Sequence, residues 1–213
     1  MSWVFNLKTS ILGTMLSSSP YITKIVWVVS ALLIGFGFTD PERETKIRVA
    51  PDSKVVISGT TNVNGFTCRY NLKEMELPIR LAYNDSAEQI QFSNAQLKLA
   101  NDCFDCGGKA INKDFRDLLK TEEHPEVELR LLYVDPPQPN DPKIGVGMEI
   151  KIAGTARIYE TRLYCKQQGD IRVDGTIPLK LTDFGLEPPR KVLGMIKVHD
   201  EIKVQVALRL KEI

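Results

Sequence analysis

The sequence predicts an all-β fold, namely a closed antiparallel β-barrel of about eight strands with one short helix. Apolar and polar residues alternate along most of the chain after residue 45, which is typical of strands with one dry face and one wet face. Helical periodicity is convincing in one short stretch only. Several alternating stretches are longer than an immunoglobulin-type sandwich requires, and this length favours a barrel.

The overall charge argues against binding to nucleic acid. The 213 residues carry a formal net charge of +1, with 28 basic and 27 acidic side chains. A nucleic-acid-binding domain usually presents a basic surface. We therefore expect no nucleic-acid partner.

The N-terminal residues resemble a targeting segment. Lys24 precedes an apolar run at residues 25–38 that contains no charge. The run is short for a membrane span, and Gly35 and Gly37 are small enough for a signal peptidase site. We predict a signal peptide or N-terminal membrane anchor at residues 1–38 and one β-barrel domain at residues 39–213. The protein is then exported and periplasmic or, alternatively, anchored to the inner membrane by residues 25–38, its only membrane contact.

The first strands of the domain are short. Residues 45–50 and 54–58 alternate on either side of a turn at Pro51-Asp52, and residues 66–72 follow a loop rich in turn formers. Residues 88–100 change phase, because their apolar positions switch from even to odd numbers. A bulge near Ser93-Asn94 explains this switch.

The predicted helix follows. Asn112 is a suitable N-cap, and apolar side chains form one stripe, ending before Pro125. This stripe comprises Ile111, Phe115, Leu118 and Leu119.

Residues 143–159 form the longest alternating stretch. Its even positions are apolar or small, and every charge lies at an odd position. We predict one strand of roughly 50 Å, bent at Gly154. Residues 170–182 and 201–211 alternate in the same way and are the expected neighbouring strands.

The width of the barrel interior is left open by the pattern. The small residues Gly154, Ala156 and Gly175 on the predicted inward faces favour a cavity for a ligand. A core filled by side chains explains them equally well.

The four cysteines favour structural disulfides. Cys103 and Cys106 have the spacing of a redox motif, but no helix begins directly after them, and a zinc site would need a second such pair. We expect the pairs Cys68–Cys106 and Cys103–Cys165. Neither His124 nor His199 has further metal ligands nearby in the sequence, so we expect no enzyme, metal or cofactor.

Four segments together resemble the YceI-like family of exported proteins. They are GTTNVNGFTCRY from Gly59, LLKTEEHPEVELRL from Leu118, IAGTARIY from Ile152, and LKLTDFGLEPPRKVLGMIKVHDEIKVQVALRL from Leu179. The resemblance implies a lipocalin-like barrel whose lumen binds a polyisoprenoid lipid. The cysteines, Pro188-Pro189, the insert at residues 135–142 and a missing histidine-glycine pair indicate a divergent branch.

We therefore expect a non-catalytic binding or carrier protein of the cell envelope that holds an apolar, polyisoprenoid-like lipid. The alternative is a structural or partner-binding envelope protein with a filled barrel and no ligand. The oligomeric state is left open, with a dimer as one option. The expected lumen lining is Phe66, Tyr70, Val146, Met148, Ile150, Ile152, Gly154, Ala156, Ile158, Val173, Ile177, Leu179, Leu181, Val204, Val206 and Leu208.

Overall fold

The computed structural model describes residues 42–75, 77–85, 88–191 and 195–213. They all belong to the compact unit Asp40–Ile213, and the predicted signal peptide or anchor at residues 1–38 lies outside the described residues. The strands and the α-helix of the described ranges are β1 (Arg43–Val49), β2 (Lys54–Thr61), β3 (Gly65–Tyr70), β4 (Ile79–Asp85), β5 (Ile90–Ala100), β6 (Phe104–Asp105), α1 (Lys109–Leu118), β7 (Glu126–Val134), β8 (Lys143–Ile152), β9 (Thr155–Gln168), β10 (Asp170–Lys180), β11 (Arg190–Lys191) and β12 (Ile196–Glu212).

Eight of these strands close into a barrel. The antiparallel order is β1-β4-β5-β7-β8-β9-β10-β12, and the end of β12 pairs with β1 through Val49 and Leu210. The predicted closed antiparallel barrel with one short helix is therefore confirmed. Since the sheet and its core close within this unit, residues 40–213 meet the condition for folding on their own.

The sheet forks where β1 meets β2. Both strands run antiparallel to β12, so the turn at Pro51-Asp52 bends one continuous line instead of reversing it. Arg209 holds the bend, because its guanidinium bonds Asp52 (2.6 Å) and its backbone N–H donates to the Ser53 hydroxyl (2.9 Å). Beyond the bend, β1 pairs with β4, whereas β2 pairs with β3 and β3 with β6.

The predicted single strand at residues 143–159 is wrong. The chain reverses at Ala153 and Gly154, whose φ angles of 47° and 81° make a two-residue hairpin turn between β8 and β9. Such a turn needs positive φ at both positions. Met148 pairs with Tyr159, so the inward face changes from even numbers on β8 to odd numbers on β9.

The predicted bulge in β5 is confirmed. Ala82 pairs with Asn94 and Tyr83 with Phe92, which leaves Ser93 without a partner in the ladder. The Ser93 hydroxyl donates to the Ala82 carbonyl (3.2 Å). One extra residue therefore restores the apolar positions to the inward face.

The helix begins three residues before the predicted cap. α1 starts at Lys109, and the Asn112 side chain accepts from the Cys106 N–H (2.6 Å) and donates to Asp105 (3.0 Å). Asn112 thus fixes the segment leading into the helix instead of capping it.

None of the helices in the described part of the chain has the length and apolar character that crossing a membrane requires.

Candidate functional site

A cavity of about 440 Å³ occupies part of the barrel interior. Its 30 described lining residues come from strands on both branches of the fork, from the turn after β10, from the segment leading into β12 and from α1. Only three of these 30 residues have polar side chains, namely Thr61, Asn64 and Asp114. Thr61 and Asn64 belong to the β2–β3 hairpin and Asp114 to α1. The same two elements bring the exposed Gly65 and Ala110 to the cavity, so we take them as its mouth.

We call the part of the interior around this cavity the open half. Alternation on β8, β10 and β12 turns one residue in two toward it, as the inward faces of these strands predict. Nine of the sixteen residues expected to line the lumen lie there: Phe66, Ile150, Ile152, Ile177, Leu179, Leu181, Val204, Val206 and Leu208.

The closely packed part of the interior, formed by Val146, Met148, Leu163, Val173 and Gly175, does not line the cavity, and we call it the filled half. Val146, Met148 and Leu163 are each about 5% exposed. A Cβ at Gly175 would collide with Cδ2 of Leu163, so this side chain fills the space that the glycine leaves. Val146, Met148 and Val173 lie in the core without lining the cavity.

Three further expected lining residues lie outside the interior. Gly154 is in the hairpin turn, and Ala156 and Ile158 point outward because β9 has the opposite parity to β8. Ile158 is 64% exposed. A Cβ at Gly154 would lie 2.8 Å from the His124 ring, so Gly154 makes room for this ring and not for a ligand.

Tyr70 also lies off the cavity. It is buried at the end of β3, with its ring 5.0 Å from that of Phe104 in an edge-on contact. Burial raises the pKa of its hydroxyl, which is hydrogen-bonded to Cys103. Tyr70 therefore supports the wall from behind Phe104, which does line the cavity.

The predicted disulfide Cys68–Cys106 is confirmed and the predicted Cys103–Cys165 disulfide is wrong. Cys103 is held at Tyr70, whereas Cys165 lies on β9 opposite Val173. The ladder fixes Cys165 away from the turn that carries Cys103. Burial raises the pKa of both free thiols, which lowers their thiolate fraction and argues against redox catalysis.

A polar pair lies beside the filled half. The Tyr159 hydroxyl donates to Asp183 (2.8 Å), and its ring stacks on Phe184 at 6.0 Å. Burial and the neighbouring carboxylate raise the pKa of Tyr159 to about 12. Tyr159 is thus a neutral donor that fixes the turn after β10.

Within the described ranges, no group of three or more acidic, histidine or cysteine side chains could hold a metal ion.

Sequence reasoning missed part of the cavity wall. The wall includes the apolar stripe of α1, which was predicted as a helix face but not as lining. It also includes inward residues of β2, β5 and β7, whose alternation was the available signal. These missed residues are Val55, Ile57, Leu97, Leu99, Val127, Leu129, Ile111, Phe115, Leu118 and Leu119.

Comparison with known proteins gives the family. No curated protein matches the chain. Among solved structures, it is similar to Burkholderia cenocepacia BcnA (19% identity, TM-score 0.54, covering 76% of this chain and 99% of that one). It is also similar to a polyisoprenoid-binding domain from Saccharophagus degradans implicated in plant cell wall breakdown (16% identity, TM-score 0.54, covering 78% and 98%). These two likenesses concern the fold. The model of the YceI-like domain matches residues 47–210, and the chain therefore belongs to the YceI-like domain family.

Proposed function

We propose that the chain is a non-catalytic binding protein that holds an apolar lipid of polyisoprenoid type in the open half. The observation that carries the proposal is a 440 Å³ cavity with three polar side chains among its 30 described lining residues. Its volume is about three times that of an engineered apolar cavity that takes up benzene, so it suits a hydrocarbon of roughly 15 to 20 carbons. Affinity would come from burial, on the order of 25 cal/mol per Å² of apolar surface.

The distribution of polarity orients the ligand. Thr61, Asn64 and Asp114 lie at the mouth, whereas the deep wall at Ile150 and Ile177 is apolar. A polar group buried without a partner is costly. The hydrocarbon therefore enters first and any polar end group stays at the mouth.

Two further points support a carrier of the cell envelope. The solved structure from Saccharophagus degradans is named as a polyisoprenoid-binding domain. The Cys68–Cys106 disulfide suits an exported protein, because disulfides persist in oxidising compartments. The alternative, an envelope protein with a filled barrel and no ligand, is favoured by the filled half alone.

Lipid extraction tests the proposal. Residues 39–213 are purified after export in a bacterial host, extracted with organic solvent and analysed by mass spectrometry. We expect a prenyl-type lipid from the wild type and little from Val206→Trp, whose ring would occupy the cavity. Gln205→Trp, on the exposed face of β12, is the matched control and should retain the lipid. Absence of lipid from the wild type, or equal recovery from both variants, would overturn the proposal.

A further inference from the structure

Two large apolar side chains stand out in solvent beside the mouth. Val63 at the tip of the β2–β3 hairpin is 69% exposed, and Met195 before β12 is 65% exposed. They flank lining residues of the cavity, since Asn64 follows Val63 and Ile196 follows Met195. Isolated exposed apolar residues are ordinary, but two at one opening define an apolar rim.

This rim is held in place by Asn62. Its side-chain amide donates to the Met195 carbonyl (2.8 Å) and its side-chain oxygen accepts from the Lys197 N–H (2.8 Å). Its own backbone N–H donates to the Lys197 carbonyl (3.1 Å). Three hydrogen bonds thus tie the hairpin tip, which carries Val63, to the start of β12, next to Met195.

Two cations accompany the rim. Arg190 on β11 pairs directly with Lys197 on β12, and both side chains are exposed. Like charges directly opposite each other on a sheet are destabilising. An anionic partner would relieve their repulsion.

We propose that this rim docks on a membrane surface that contains anionic lipids. Two contributions hold peripheral proteins on such surfaces. Apolar side chains insert among the lipid head groups, and nearby basic residues attract the anionic lipids. A second copy of the chain fits less well, because a stable dimer buries about 800 Å² per partner and this rim offers two large apolar side chains. The docking rests on the proposed function, since it would place the mouth where a lipid can pass directly between bilayer and cavity.

Vesicle sedimentation tests the docking. Residues 39–213 are mixed with vesicles of phosphatidylcholine alone or with phosphatidylglycerol at 0.1 M salt. We expect binding to the anionic vesicles only, weakened about 30-fold in the double variant Arg190→Gln/Lys197→Gln. Val63→Asp/Met195→Asp should abolish it. Ile158→Asp, which changes an equally exposed residue on the outer face of β9, is the control and should bind like the wild type.

The outcomes separate docking from lipid binding. Equal sedimentation with both vesicle types, no sedimentation, or an equal loss in Ile158→Asp would overturn the docking proposal. So would a dimer in light scattering that Val63→Asp/Met195→Asp dissociates. Lipid content is measured on the same samples. A rim variant that keeps its bound lipid but no longer sediments with the vesicles supports docking. A wild type without lipid counts against the carrier function alone.

Discussion

The open half and the filled half of the barrel interior are lined by the same kinds of side chain. β8 runs through both, with Val146 and Met148 in the filled half and Ile150 and Ile152 in the open half. In the filled half, β9 lies beside β10 and Leu163 reaches over Gly175. In the open half, the fork leads the sheet outward into β2, β3 and β6, and α1 completes the wall. The backbone path, and not the size of the side chains, therefore decides where space remains.

The two halves are also stabilised differently. The filled half depends on close packing, which the cavity denies to the open half. In the open half, the Cys68–Cys106 disulfide joins β3 to the segment that leads into α1. A covalent link thus replaces contacts that the cavity removes.

Reduction of this disulfide should have the largest effect on stability. The bond joins residues 38 apart, and a loop of that length stabilises by roughly 4 kcal/mol in the chain-entropy model. We expect this loss in urea unfolding after reduction. The double variant Cys103→Ser/Cys165→Ser keeps the Cys68–Cys106 disulfide, so reduction should lower its free energy of unfolding by the same amount. A loss below about 1 kcal/mol would mean that packing alone holds the open half.

Truncation of one leucine in each half comes next. Leu163→Ala should cost about 3 kcal/mol, because it opens a void in close packing beside Gly175. Leu208→Ala removes the same atoms from a side chain that already borders the cavity and should cost about 1 kcal/mol. Both are measured by urea unfolding of lipid-free protein. Equal losses would contradict the distinction between the halves.

Added volume should give a smaller effect with the same contrast. Gly175→Ala places a methyl group against Leu163 and should cost about 2 kcal/mol. Val206, the cross-strand partner of Gly175, faces the cavity, so the larger change Val206→Phe should cost less than about 1 kcal/mol. Thermal unfolding compares the two. A greater loss in Val206→Phe would indicate that the open half has no room.

The sequence predicts which residues form the cavity wall better than it predicts where the cavity lies. Alternation on β10 and β12 predicts that Ile177, Leu179 and Val204 face inward, and all three line the cavity. In a half-buried strand every second residue faces inward, so the inward face can be read from the sequence. Gly154 and Ala156 are misplaced because a two-residue turn between small residues leaves the apolar pattern unbroken while it reverses which parity points inward.

Gly175 is inward-facing as predicted but does not contribute space. A local pattern cannot state which side chain reaches over a glycine from the next strand, and Leu163 does so here. The fork in the sheet could not be predicted from the sequence either. It depends on β2 pairing with β12, about 145 residues away, and such long-range pairing leaves no local signal beyond the Pro51-Asp52 turn.

Titration of Tyr159, beside the filled half, should change the stability only at alkaline pH. Its pKa in the folded protein is about 12 and its ordinary value is 10.0. The neutral hydroxyl is therefore favoured by folding, and its contribution is complete below pH 10 and lost as the pH rises through 12. In urea unfolding from pH 8 to pH 12, Tyr159→Phe should be less stable than the wild type at pH 8, because it lacks the bond to Asp183. The difference should shrink above pH 10 as the wild type loses that contribution. Parallel curves across this range would mean that folding does not raise the pKa of Tyr159 and would contradict its role as a neutral donor to Asp183.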